Sequence, residues 1–210
     1  MSALYSRICL FVASVFLVAN VLAEEAVVTE VAPTAHSVVA KVTADTIAVI
    51  QQNKPLLADN PSAYFAKVQA VLEPVVMFDF IAKTVMGNTY SKASPEQRAT
   101  FGAVFKQGMV ETFAKGMANY SDLEINVLPP KDDQAGQRKI EVLQEVKTKE
   151  GTLIVSYTMA STKEGEWKLI NVVLNGVNLG KSFRDQFTQA MRQYNEDIDK
   201  AIANWGQKDA

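Results

Sequence analysis

Apolar residues recur along this chain with two periods, and the change from one to the other divides it. From about Ala35 the spacing is helical. Val39, Val42, Thr46, Ile47 and Ile50 share a face, and Asn53-Lys54-Pro55 closes the run. Asn60-Pro61 opens a second helix carrying Tyr64, Phe65, Val68, Val71 and Leu72, which Pro74 breaks. A third, short helix places Met77, Phe80, Ile81, Thr84 and Val85 inward and stops at Gly87. The longest run spans Ser94 to Tyr120. Ser94 is its N-cap, Pro95 suits the first helical position, and Gln97 completes a capping box. Phe101, Phe105, Met109, Phe113, Met117 and Tyr120 then follow at steps of four and finally three, predicting one aromatic and methionine stripe. Gly102, Gly108 and Gly116 lie beside it, although each costs about 1 kcal/mol against Ala inside a helix. Such glycines suit a helix that another element or a ligand approaches closely. The plainer alternative is a stripe that is simply core.

After Tyr120 the period becomes two. Leu123, Ile125 and Val127 alternate with polar residues until Pro129-Pro130, and Lys131 to Gln137 is a polar loop. Ile140, Val142 and Val146 mark a second strand; Leu153, Val155, Tyr157 and Met159 mark a third. Trp167 to Leu174, denser in apolar residues, is a fourth. Short polar turns at Lys149–Gly151 and Lys163–Gly165 imply an antiparallel meander. From Lys181 the helical period returns through Phe183, Phe187, Met191, Tyr194, Ile198, Ile202 and Trp205, read as one helix. Helices, then strands, then a helix predict an α+β fold: a four-stranded antiparallel sheet with helices packed on one face.

The start of the chain follows neither period. Arg7 precedes an unbroken apolar run from Ile8 to Val21, and Val21-Leu22-Ala23 fits a cleavage site. Residues 1–23 are therefore expected to be a signal peptide, 24–34 a flexible acidic leader, and 35–206 a single domain. The only cysteine, Cys9, lies in the first segment without a lipobox before it. The mature chain then has no thiol, and must be held together by packing. Its formal charge passes from −2 to −3 with the loss of Arg7, which argues against nucleic acid and against an anionic membrane surface.

Candidate chemistry is sparse. The lone histidine, His36, stands near the start of the first helix, which leaves no zinc set and no histidine-dependent triad. Neither a Walker loop nor a G-x-S-x-G elbow occurs. Asp132-Asp133 lacks calcium-loop spacing. Asp79, between Phe78 and Phe80, is either a buried acid or base or a structural carboxylate that caps a helix or pairs with Arg98 or Arg184. The segment Asn171 to Asn178 offers amides, which orient a ligand or close a turn.

Three ordered blocks then carry a resemblance. P-V-V-M-F-D-F-I-A-K-T-V-M-G-N-T-Y-S-K-A-S-P-E-Q-R-A-T-F-G-A-V-F (Pro74 to Phe105), E-W-K-L-I-N-V-V-L-N-G-V-N-L (Glu166 to Leu179) and K-S-F-R-D-Q-F (Lys181 to Phe187) resemble the MlaC, or toluene-tolerance, family. The departures are Asn171, Asn175 and Asn178, where Asp, Glu and Ser are usual in that family, with Met86 for Leu and Tyr90 for Trp. The resemblance implies a periplasmic phospholipid carrier and no enzyme. Its cargo would be a diacyl phospholipid, with no cofactor and no metal. Its partners would be an outer-membrane lipoprotein/porin complex and an inner-membrane ABC transporter with its substrate-binding domain protein, and its role the maintenance of outer-membrane asymmetry. The fold implied is a cone resembling nuclear transport factor 2, with a lipid cavity between sheet and helices. Phe80, Ile81, Phe101, Phe105, Met109 and Phe113 would line that cavity from the helices. Val155, Tyr157, Val172, Leu174 and Val177 would line it from the sheet. Two rival readings are an enzyme on the same cone, with Asp79 and Tyr157 in its pocket, and a ligand-free periplasmic interaction protein.

Overall fold

A computed structural model describes residues 32–118, 124–149 and 151–206. The expected signal peptide, most of the leader, Tyr120 and Leu123 lie outside them. Helix α1 (Ala35–Asn53) begins at a reciprocal cap: the Ser37 amide donates to Thr34 Oγ1, and the Thr34 amide to Ser37 Oγ. After a single turn, α2 (Leu56–Asp59), Asn60 caps α3 (Pro61–Leu72) by accepting from the Ala63 amide. Then come α4 (Phe78–Met86), the single turn α5 (Thr89–Lys92) and the long α6 (Pro95–Ala118). The expected capping box at Ser94 and Gln97 is present in both directions, at 2.9 and 3.2 Å.

The sheet runs β1 (Glu124–Val127), β2 (Lys139–Thr148), β3 (Gly151–Ser161), β4 (Trp167–Leu174) and β5 (Val177–Asn178), every neighbouring pair antiparallel. It therefore has five strands, not four. Asn175 and Gly176 turn the chain with φ of 46° and 81°, a left-handed pair that Asn and Gly tolerate, and the two residues beyond them pair back onto β4. The strand is too short to leave a period in the sequence. Asn178 then caps α7 (Leu179–Gln193). The final helix is not continuous either. Asn195 and Glu196 adopt φ of 54° and 62°, and Asp197 caps a separate α8 (Ile198–Ala203). The break folds α8 back, so that Ile202 and Trp205 return to α6.

The phase of α4 also differs from expectation. Val85 is buried as expected and Ile81 and Thr84 are half-buried, but Met77 and Phe80 are exposed, and Phe78, Ala82 and Met86 are buried in their place. The cause is tertiary. Val76 forms a parallel bridge with Leu169 of β4, the Met77 amide donating to the Leu169 carbonyl, and this contact sets the angle at which α4 starts.

The described residues from Pro33 on form one compact unit with three apolar clusters. The first joins α4, α6, α7 and α8. The second joins α1, α3 and α6, where the Tyr64 hydroxyl donates to the Ala114 carbonyl. The third seats Ala35 and Val39 of α1 on Ile140, Val142 and Met159 of the sheet. No described helix is long and apolar enough to cross a membrane.

Candidate ligand-binding face

Directly paired residues in neighbouring strands share a face. The register opposes Val142 to Tyr157, Gln144 to Val155, Tyr157 to Val172, Val155 to Leu174, and Leu174 to Val177. All the sheet residues expected to line a cavity thus stand together on one surface. A bulge brings Leu169 onto the same surface. Thr158 pairs with Asn171 and Met159 with Leu169, so Ile170 has no partner. Without that extra residue Leu169 would face away from Val172 and Leu174. The dense apolar spelling of β4 is the trace of this bulge.

That face changes character along its length. At one end Ile140, Val142 and Met159 are sealed beneath α1. At the other, Val155 is half-buried, Leu174 is 37 % exposed and Val177 is 54 % exposed. Between the two ends sits a polar chain. The Tyr157 hydroxyl donates to Gln144 Oε1 at 2.8 Å, and Gln144 Nε2 donates to Thr43 Oγ1 of α1 at 2.9 Å. Burial pushes the Tyr157 phenol up to about 12, so it stays protonated as the donor. Gln144 and Thr43 were not anticipated. The signal for Gln144 was present: it occupies an inward position of β2, in phase with Ile140 and Val142.

The helical residues expected to join this lining are divided among several surroundings. Phe101 and Phe105 are fully buried in an aromatic cluster with Phe183, Phe187 and Trp205, ring centroids 4.8 to 6.4 Å apart. Ile81 packs on its edge, and Met109 touches both this cluster and the one around Tyr64. Phe80 and Phe113 are 44 % and 38 % exposed. Helix geometry explains the division. Each step of four residues turns about 40° beyond a full circle, so Phe113 stands about 120° from Phe101. Val110, Ala114 and Ala118 form a second buried face farther round the helix, against α1 and α3, and Phe113 falls between the two.

The glycines of α6 divide too. A Cβ on Gly102 would meet Asp79 Oδ1 at 3.7 Å, whereas Gly108 and Gly116 face open space. Asp79 itself is exposed, which corrects the expectation of a buried carboxylate. It sits in the first turn of α4, where a negative charge suits the helix dipole. Neither arginine named for it pairs with it: Arg98 Nε donates to the Tyr90 carbonyl and Arg184 Nε to the Thr84 carbonyl. The three asparagines of the fourth-strand segment have local tasks. Asn175 makes the turn and accepts from the Ile154 amide, Asn178 caps α7, and Asn171 Oδ1 lies where a Cβ on Gly180 would come within 2.7 Å. His36 is half-buried in the first turn of α1, and burial holds its imidazole below the usual value. No group of three or more metal-ligating side chains occurs among the described residues.

A meander sheet with one apolar face, sealed at one end and open at the other, places the chain among small α+β proteins with a candidate apolar binding face. Its family is then shown by comparison. The profile of the MlaC protein family matches residues 40–207, and the chain belongs to that family. It is 36 % identical over 179 residues to the toluene tolerance protein ttg2D of Pseudomonas putida, covering 84 % of this chain and 82 % of that one. It is 26 % identical over 133 residues to the intermembrane phospholipid transport system binding protein MlaC of Haemophilus influenzae, covering 62 % of each. Among solved structures, a phospholipid-binding protein from Ralstonia solanacearum in complex with a phospholipid superposes with a TM-score of 0.72 at 21 % identity. The match covers 82 % of this chain and 98 % of that one, and shows a shared fold.

Proposed function

We propose that this protein is a periplasmic phospholipid carrier, exported by a signal peptide cleaved after Ala23 and acting without catalysis. The observation that carries the reading is the open end of the apolar sheet face, Val155, Val172, Leu174 and Val177, in a member of the MlaC family. The names of the Pseudomonas and Haemophilus relatives and the phospholipid held by the Ralstonia protein support it. On this reading acyl chains lie between the sheet and the helices of a cone like that of nuclear transport factor 2, with the head group toward solvent. Phe80, Met109 and Phe113 complete the lining if the helices part from the sheet when lipid enters. Partners are the outer-membrane lipoprotein/porin complex and the inner-membrane ABC transporter with its substrate-binding domain protein, and exchange between them maintains outer-membrane asymmetry.

The energetics suit a carrier. Two acyl chains hold roughly thirty methylenes, each worth about 0.8 kcal/mol of transfer from water, which exceeds any real affinity. The relevant reference is the bilayer, where the chains are already dry, so the protein needs only to match the membrane. Catalysis has little support. The Tyr157 hydroxyl is committed to Gln144 and titrates far above neutrality, and Asp79 lies on the surface of α4.

The test is extraction of protein purified from the periplasm without detergent. Organic solvent should release diacyl phospholipid in amounts comparable to the protein, and native mass spectrometry should show the complex. Protein that emerges empty, and takes up no lipid from vesicles, would refute the reading.

A further inference from the structure

A groove of about 450 Å³ lies between α4 and α6, built from residues that the lipid reading does not use. Its floor is small: Ala82, Ala99, Gly102 and Ala103. Three cations, Lys83, Arg98 and Lys106, line it against the single carboxylate of Asp79. Lys106 is paired with Glu73 at 2.7 Å. Lys83 and Arg98 form no ion pair among the described residues; both are gathered over the ring of Tyr90, at 5.1 and 4.5 Å from its centre. Arg98 is held there by Nε on the Tyr90 carbonyl and Nη2 on the Ser91 carbonyl. Asp79 stands beside Gly102, one helical turn along α6 from Arg98. The groove thus has a cationic end, with Lys83 exposed and Arg98 already positioned.

Helix stability explains only part of this. A lysine in the last turn of α4 complements the helix dipole, but that does not require an arginine from another helix to be stacked beside it. With Nε on the Tyr90 carbonyl and Nη2 near that of Ser91, Arg98 is fixed in direction while its Nη1 side stays available to an incoming carboxylate. The chain as a whole is acidic, with formal charge −2. An acidic partner therefore gains no attraction from the net charge and gains one at this groove, which favours one orientation.

We propose that this groove docks an acidic segment of a protein partner, with Lys83 and Arg98 meeting its carboxylates and the small floor admitting its backbone. The inference does not depend on the lipid reading. The test uses the mature protein and a fluorescent peptide of alternating glutamate and alanine. A lysine–alanine peptide serves as control, and binding is followed by anisotropy at low and high ionic strength and by amide shifts in NMR. The glutamate peptide should bind at low ionic strength and be released by salt, with shifts confined to α4, α5 and the first half of α6. Lys83→Glu should weaken binding about tenfold or more, while Lys139→Glu, an equal charge reversal on the exposed start of β2, should not. Lys83→Ala, a milder change, should weaken it in the same direction and guards against misfolding of the reversal. Phospholipid content should be the same in all variants, which separates this test from that of the carrier reading. The proposal is overturned by absent binding at low ionic strength, by equal loss in Lys83→Glu and Lys139→Glu, by shifts elsewhere, or by Lys83-dependent binding of phosphatidylglycerol vesicles in place of the peptide.

Discussion

Two apolar regions of this protein, one aromatic and one aliphatic, are packed in opposite ways. In the helical cluster, Phe101, Phe105, Phe183, Phe187 and Trp205 meet edge to face or tilted, and Phe101 has no exposed surface. At the open end of the sheet, Val155, Leu174 and Val177 are equally apolar, yet they are left half-covered or bare. The first region comes from four helices that close on one another. The second lies on a sheet face whose other end is covered by α1. The carrier reading proposes that this open apolar surface is where lipid lies. On that reading the helical cluster supplies the stability that lets this end of the sheet stay open.

The largest test of that contrast is Phe101→Ala. Removing a wholly buried ring should cost about 3–5 kcal/mol, measured by urea denaturation. A loss under about 1 kcal/mol would mean that the helical cluster is loose and the contrast false. The partner experiment is Leu174→Asp. Because the side chain is already partly in water, stability should change by less than about 1 kcal/mol, while phospholipid recovered from detergent-free protein should fall severalfold. If the same lipid is recovered, this end of the sheet is not the binding face.

Next comes the border between the sealed and open ends. The folded phenol of Tyr157 is raised to about 12 from an ordinary 10, so the neutral form is favoured in the native state. Its contribution is complete below pH 10 and is lost as pH rises through 12, an effect of about 2–3 kcal/mol. Tyr157→Phe should flatten that alkaline loss. It should also cost about 1–3 kcal/mol at neutral pH if Gln144 Oε1 finds no other donor. An unchanged alkaline profile would remove Tyr157 as its source.

The smallest expected effect is Gly108→Ala. Its Cβ meets nothing within 4 Å, so helix propensity alone should stabilise the protein by about 1 kcal/mol, seen as a higher melting temperature with lipid content unchanged. A drop in bound lipid would bring Gly108 back to the cavity from which its exposure removes it.

Much of this fold was legible along the chain. Period and punctuation are local, so the capping box at Ser94 and Gln97, the stop at Pro74 and the limits of β4 could be read directly. The inward alternation of Leu153, Val155, Tyr157 and Met159 likewise assembled one face of the sheet. Departures arose where distant residues decide. The phase of α4 was set by a bridge from Val76 to Leu169, ninety-three positions away. The methionine and phenylalanine stripe of α6 belonged to different clusters because a four-residue step drifts around the helix, and only the positions of α3, α7 and α8 determine which part of the stripe is covered. The sequence by itself determined the longer helices and strands, because hydrogen-bonded periodicity and capping act over a few residues. Tertiary structure alone decided which apolar surfaces are closed and which stay open, because burial depends on what the rest of the chain brings against them.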